Sequence, residues 1–169
     1  MKKLLVVTSL FAALASTCAQ AQLVRTERNM SLELASQLAS DAMAACSGSG
    51  FNVSVAVVDR GGAVRVSQRG DMAGPHTLPA AQQKAFTSAS SNATTQVMGE
   101  RAQAPNGPAY LVHIPGFLLL AGGVPIKVGN ELIGAIGVAG APRGIQDEQC
   151  AMTAIEKSRD KLKLAEPHP

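Results

Sequence analysis

The sequence has very few aromatic residues: no tryptophan, one tyrosine and four phenylalanines, or 3% of its 169 residues. Hydrophobic residues nevertheless make up 46% of the chain. The core must therefore be built from alanine, valine, leucine and isoleucine. Such small side chains favour helices and strands that approach one another closely over a core filled by large aromatic rings.

Clusters of basic residues interleaved with aromatic residues are also absent, and such clusters are the usual mark of nucleic-acid binding. The formal net charge is +3, and two of the positive charges are Lys2 and Lys3 near the N-terminus. Without these two lysines the chain carries a net charge of about +1. We therefore expect no nucleic-acid partner.

No apolar run reaches the roughly 20 residues that a transmembrane helix needs. The N-terminal run, Leu4 to Leu14, follows Lys2 and Lys3 and precedes the small-residue site Ala19-Gln20-Ala21, a pattern typical of a secretory signal peptide. We expect residues 1–21 to be cleaved and residues 22–169 to form a single domain. The expected location is periplasmic or secreted, without stable membrane insertion.

Only three cysteines are present, and Cys18 lies in the expected signal peptide. Cys46 and Cys150 are left, and an even pair in an oxidising compartment indicates a disulfide. Two reduced, buried cysteines are the alternative. Their spacing matches no zinc motif.

Hydrophobic periodicity and turn residues predict three helices and several strands. The helices are expected at Ser31–Cys46, at residues 78 to about 98 and at Asp147–Leu164. The strands are expected at Asn52–Val58, Ala63–Gln68, Phe117–Ala121, Val124–Val128 and Glu131–Ala139. Residues 99–116 form a long loop, whose length suggests a role in binding. This order predicts an α+β domain with a mainly antiparallel sheet covered by helices.

The second predicted helix carries alanines at every fourth position, namely Ala81, Ala85, Ala89 and Ala93. Such a smooth stripe allows either a sheet or a flat ligand to approach closely. Packing of the helix on its own sheet is the favoured interpretation.

Four runs of the sequence resemble a known family. In chain order they are VSVAVVDRGGAVRV, GPHTLPAAQQKAFTSAS, LAGGVPIKVGNELIGAIGVAGA and DEQCAMTAI. Over nearly the whole of residues 22–169 the sequence resembles the GlcG/HbpS family. That family includes haem-binding and haem-degrading-type proteins, the C-terminal domain of PduO-type cobalamin adenosyltransferases, and proteins encoded beside glycolate-utilisation enzymes.

The resemblance implies a profilin-like α+β fold, with a five-stranded, mainly antiparallel sheet flanked by helices. It also implies a symmetric homo-oligomer and haem, or a related tetrapyrrole, as ligand. One branch of the family binds iron through surface Glu-x-x-Glu pairs. The sequence contains no such pair, so this iron-sensing activity is not expected.

His76 is the leading candidate for a ligand contact. It follows the Gly74-Pro75 turn and precedes Thr77, the expected helix N-cap, and Pro79, which suits a first helical turn. A neutral imidazole at this point is suited to coordinate haem iron, while the helix N-terminus is suited to receive a propionate. A solvated loop histidine is the alternative.

Thr77, at the same helix end as His76, is also a candidate for ligand binding, and there are four further candidates. His113 lies in the long loop, where it would close the same pocket from the other side, and Tyr110 would stack on or ligate a haem. Their alternatives are a histidine bonded to the backbone and a packing role. Arg69 and Lys84 are candidates to hold a carboxylate, with solvated or ion-paired side chains as the alternative.

No spacing typical of a catalytic site is present, which favours a binding protein over an enzyme. The leading hypothesis is an exported, oligomeric binding protein for haem or a related small ligand. One alternative is an enzyme or accessory protein acting on a small organic acid through Arg69, His76 and Lys84. Another is a structural or signalling oligomer that partners a membrane sensor.

Overall fold

The computed structural model describes residues 24–163, so the expected signal peptide, residues 1–21, lies outside the described residues. The helices are α1 (Leu32–Gly48), α2 (Thr77–Ser91), α3 (Thr95–Gln103) and α4 (Gly144–Lys157), and the strands are β1 (Ser54–Asp59), β2 (Val64–Arg69), β3 (Gly123–Val128) and β4 (Glu131–Ala139). Two short 3-10 helices cover Ala109–His113 and Arg159–Leu162. No helix within residues 24–163 is both long and apolar enough to cross a membrane.

The four strands form one antiparallel sheet in the order β2-β1-β4-β3. Alternate residues of the central strands point to opposite faces, as the period of a strand requires. On one face, Val55 and Val57 join Ile136 and Val138 in a core that includes residues of α1 and α4. On the other face the sheet packs against α2. The predicted α+β class is confirmed.

Helix α2 lies very close to the sheet because both surfaces are built from small residues. Ala81, Ala85 and Ala89 are buried against the strand residues Ala56, Val58, Ala135 and Ala139. A Cβ atom at Gly137 of β4 would collide with the carbonyl oxygen of Ala81. The alanine stripe is therefore occupied by the protein's own sheet, as favoured, and is closed to a flat ligand.

The prediction of a fifth strand at Phe117–Ala121 is wrong, since the sheet within residues 24–163 has four strands. Two backbone amides, one in this segment and one just after it, bond to side chains of helices α2 and α4. Leu118 N donates to Thr87 Oγ1 at 2.8 Å, and Gly122 N donates to Glu148 Oε2 at 3.2 Å.

The prediction of one long helix over residues 78–98 is also wrong, because the chain breaks between α2 and α3. Asn92 ends α2 in a left-handed conformation with φ of 52°, a conformation that asparagine tolerates better than most residues. The Thr94 side chain then caps α3 by accepting a hydrogen bond from Val97 N.

The predicted disulfide between Cys46 and Cys150 is present, with the two Cα atoms 5.4 Å apart. It joins α1 to α4 across 104 residues of sequence. Both helices cover the same face of the sheet, so the cross-link holds that layer together.

Candidate functional site

A cleft of about 350 Å³ opens where the N-terminal ends of α2 and α4 meet. Two helices, the end of β4 and the segment before β3 form its walls. The lining residues are His76, Ala80, Lys84, Leu120, Ala121, Ala139, Gly140, Ala141, Gly144, Ile145 and Asp147. Most of these side chains are small or apolar, and three are titratable.

His76 stands exposed at the rim of this cleft and occupies the N-cap position of α2. Its ring lies directly over Gly74, where an added Cβ atom would be 2.8 Å from Cε1 and 3.0 Å from Nδ1. Within residues 24–163 the imidazole makes no hydrogen bond. A ring nitrogen is therefore free to coordinate a metal centre in a ligand.

The prediction of Thr77 as the N-cap is wrong, because the residue is already helical and its side chain points inward. Thr77 is 2% exposed. Its hydroxyl donates to the carbonyl oxygen of Gly74 at 2.7 Å and lies 2.7 Å from the hydroxyl of Ser54. Since the single hydroxyl proton of Thr77 goes to Gly74, Ser54 is the donor in the second bond. Thr77 thus fixes the loop that carries His76.

Arg69 is bonded to the same loop. Its Nε and Nη2 atoms donate to the carbonyl oxygen of Ala73 at 2.9 and 2.6 Å. Arg69 does not line the cleft. The guanidinium therefore shapes the approach to His76 and does not face the candidate ligand space.

Lys84 and Asp147 form a buried ion pair at the cleft, with exposures of 4% and 2%. Lys84 Nζ donates to Asp147 Oδ2 and to the carbonyl oxygen of Val138, both at 2.9 Å. The other carboxylate oxygen, Asp147 Oδ1, accepts from Ala141 N at 2.9 Å. A Cβ at Gly122 would be 2.9 Å from Lys84 Nζ, so the glycine leaves room for the pair.

The electrostatics of this pair follow from its burial. Burial raises the pKa of the Asp147 carboxyl above its usual value, and the Lys84 charge and the Ala141 amide act in the opposite direction. A buried charge is tolerated when it is paired and hydrogen-bonded. The pair joins α2, the end of β4 and α4 at one point and leaves the cleft without a net charge from Lys84.

His113 and Tyr110 lie in the 3-10 helix Ala109–His113, and both are exposed. Neither lines the cleft. Of the ligand-binding candidates, the structure brings two into one cleft, His76 and Lys84, and leaves four outside its lining, namely Arg69, Thr77, Tyr110 and His113.

Of the eleven residues that line the cleft, only His76 and Lys84 were predicted from the sequence, and the most informative of the others are Leu120, Ile145 and Asp147. Leu120 and Ile145 are large apolar residues that remain 59% and 48% exposed at its edge. The sequence pattern identifies Asp147 only as the expected first residue of the last helix. The available signal was Lys84, which lies among Ala81 and Ala85 on the buried side of α2 and so needs a carboxylate partner.

A second cavity of about 300 Å³ lies beside the disulfide. Its lining residues are Ala45, Ser49, Phe51, Gln146, Gln149, Cys150 and Thr153, among which no side chain titrates. Within residues 24–163 no group of three or more His, Cys, Asp or Glu residues is arranged to hold a metal ion. The cleft at His76 is therefore the stronger candidate for chemistry.

Known proteins resemble this chain over most of its length. The family model described as "Haem degrading protein HbpS-like" matches residues 30–156. Protein GlcG of Escherichia coli strain K12 is 33% identical over 116 residues, which cover 69% of this chain and 85% of GlcG.

Solved structures show the same likeness in three dimensions. A double mutant of HbpS from Streptomyces reticuli superposes with a TM-score of 0.75 at 41% identity, over 86% of this chain and 98% of that one. PduOC, solved as a complex with heme, gives a TM-score of 0.69 at 25% identity, over 76% of this chain and 94% of that one. The resemblance drawn from the four sequence runs is thus confirmed, and the chain belongs to the GlcG/HbpS family.

Proposed function

We propose that this protein binds haem or a related tetrapyrrole in the cleft at His76. Two comparisons support the proposal: the family model carries the description of a haem degrading protein, and the neighbour PduOC was solved as a complex with heme. The single observation on this chain that carries it is a free imidazole at the rim of an open cleft with mostly apolar walls.

The shape and chemistry of the cleft suit a flat, largely apolar ligand. The cleft is lined in part by Gly140, Gly144 and four alanines. Because these residues have small side chains or none, a planar ring can approach the backbone closely. Leu120 and Ile145 expose apolar surface at the edge, and this surface would be removed from water by a macrocycle. His76 would hold the iron of the bound group through a ring nitrogen.

We propose that residues 22–169 form one exported domain, periplasmic or secreted. The signal-peptide pattern of residues 1–21 and the Cys46–Cys150 disulfide support this location, since disulfides persist in oxidising compartments. We also propose a homo-oligomer. Tyr110, Val112 and Ile114 are 69%, 55% and 40% exposed, and neighbouring apolar residues of this kind favour burial in a contact between subunits.

The alternative of an organic-acid enzyme or accessory protein needs free cations to hold a carboxylate. Lys84 is paired with Asp147, and Arg69 is bonded to the carbonyl of Ala73. Among the residues that the structure describes, no geometric feature favours this alternative or the sensor-partner alternative over haem binding.

The proposal is tested by titrating the purified protein, residues 22–169, with hemin and recording the absorbance spectrum. We expect a shifted Soret band that saturates as a stoichiometric complex forms. A spectrum identical to that of free hemin at every protein concentration would overturn the proposal.

A further inference from the structure

We infer that Asp147 sets the ligand specificity of the cleft by masking the charge of Lys84, so that the cleft receives an uncharged portion of the ligand. For a tetrapyrrole, the apolar edge of the macrocycle would enter and the propionates would point to solvent. The identity of that ligand rests on the proposed function, whereas the masking of Lys84 can be tested without haem.

The contacts of the ion pair support the masking. The ammonium of Lys84 can donate three hydrogen bonds, and two go to Asp147 Oδ2 and the Val138 carbonyl at 2.9 Å each. The carboxylate of Asp147 is engaged through both oxygens, because Oδ1 accepts from Ala141 N at 2.9 Å. The lysine is thus held in place and its charge is balanced by a carboxylate that cannot easily turn away.

Within the described part of the cleft, no permanently charged cation is available to replace Lys84. Of the side chains that line it within residues 24–163, Lys84 is the only lysine or arginine. The next residue after Asp147, Glu148, is also 5% exposed and accepts a hydrogen bond from Gly122 N. An ionised carboxylate that entered the cleft would lose its hydration and meet the Asp147 carboxylate as well as the paired lysine, whereas Glu148 does not line the cleft.

If Lys84 is masked, the affinity of the wild-type protein should not depend on the charge at the periphery of the ligand. Hemin and its dimethyl ester differ in the two propionates alone, so the wild-type protein should bind them with dissociation constants within about twofold of each other. Substitution Asp147→Asn keeps the size and the acceptor oxygen but removes the negative charge. The unmasked Lys84 should then favour hemin over the ester by about tenfold or more.

The experiment compares hemin with hemin dimethyl ester on the wild type, Asp147→Asn and the double variant Lys84→Met/Asp147→Leu. In the double variant both charges are gone, and the ratio of the two dissociation constants should return to the wild-type value. A wild-type preference for hemin of about tenfold, lost in the double variant, would overturn the inference, because Lys84 would then hold a propionate directly. If Asp147→Asn does not fold, the comparison of the wild type with the double variant still tests whether Lys84 holds a propionate directly.

A second arm avoids haem and separates this inference from the proposed function. Benzoate and benzyl alcohol are compared by thermal shift at matched ionic strength. Benzoate should stabilise Asp147→Asn more than benzyl alcohol does, with no such difference in the wild type. Failure of both porphyrins to bind would contradict the proposed function alone. Stronger stabilisation by benzoate than by benzyl alcohol in the wild type would contradict the masking of Lys84. The masking would also be contradicted if benzoate gave no stronger stabilisation in a folded Asp147→Asn.

Discussion

The hydroxyl oxygens of Ser54 and Thr77 lie 2.7 Å apart and are fully shielded from solvent, at the junction between strand β1 and the first turn of helix α2. Thr77 in turn donates to the carbonyl of Gly74 at 2.7 Å. This chain of two hydrogen bonds links the central sheet to the loop that carries His76. The loop that carries the imidazole is therefore held by the core, and not by a hydrogen bond from the imidazole to residues 24–163.

Replacement of Thr77 by valine, which has nearly the same shape, should break both bonds. The buried hydroxyl of Ser54 would lose its acceptor, and we expect a loss of about 1–3 kcal/mol in the free energy of unfolding. Urea denaturation measures this loss. Thr77→Ser retains the hydroxyl and is the matched control, so a stable Thr77→Val together with a destabilised Thr77→Ser would show that the methyl group matters and not the hydrogen bonds.

Replacement of Lys84 by methionine should leave the Asp147 carboxylate buried without its cation. Breaking a buried pair in this way costs about 3–5 kcal/mol. The double variant Lys84→Met/Asp147→Leu should recover most of that loss. Lys157→Met removes a half-exposed lysine that lies 3.7 Å from Asp41, and it should cost less than about 1 kcal/mol. Equal losses for Lys84→Met and Lys157→Met would contradict the burial argument.

Replacement of Gly137 by alanine should separate α2 from the sheet, because the added methyl group would overlap the backbone of Ala81 and Ala85. We expect a large drop in the thermal unfolding temperature or failure to fold. Gly48, near the end of α1, has no neighbour within 4 Å of an added Cβ atom. Gly48→Ala should therefore leave stability unchanged or raise it by about 0.4–1 kcal/mol. A Gly137→Ala protein as stable as the wild type would refute the close packing.

Glu131 should make stability depend on pH in the acid range. The amide and guanidinium of Arg28 hydrogen-bond to its carboxylate at 3.1 and 2.8 Å and lower its pKa, with a smaller contribution from Arg60. Since the folded state binds the proton less tightly than the unfolded state, Glu131 stabilises the fold above its usual pKa. This contribution is lost as the pH falls through the lowered value.

The measurement is the difference in unfolding temperature between the wild type and Glu131→Gln. It should be largest at neutral pH and should shrink as the pH falls below about 4. A difference that stays constant from neutral to acid pH would show that charge on Glu131 has no part in the stabilisation.

Local sequence patterns were sufficient for the elements whose hydrophobic periodicity is regular. Helix α1, the β1–β2 hairpin and strands β3 and β4 lie close to their predicted positions. Helix α1 buries one regularly spaced face, whereas the central strands β1 and β4 are buried on both faces and are marked by short runs of small and apolar residues. The break between α2 and α3 is indicated in the sequence by Asn92, which is typical of a helix end, and by Thr94, which is typical of a helix start.

Other features depend on side chains that are distant in the sequence. The apolar run 117–121 has the composition of a strand. In the structure, however, the amide of Leu118 donates to the Thr87 side chain, and the amide of Gly122 donates to the Glu148 side chain. The pairing of Lys84 with Asp147 spans 63 positions and follows from the placement of two helices. The position of His113 and Tyr110 in the long loop, residues 99–116, predicts that they join His76 at one pocket, but local sequence pattern does not encode the direction in which a loop runs.

Binding of hemin at His76 is the central claim, and it is tested most directly by comparing His76→Ala with His113→Ala in a Soret-monitored hemin titration. His113 is an exposed histidine outside the cleft and is the matched control. We predict that His76→Ala raises the dissociation constant by about tenfold or more and changes the Soret band. His113→Ala should bind as the wild type does. Unchanged binding by His76→Ala, or loss of binding in His113→Ala alone, would contradict the claim.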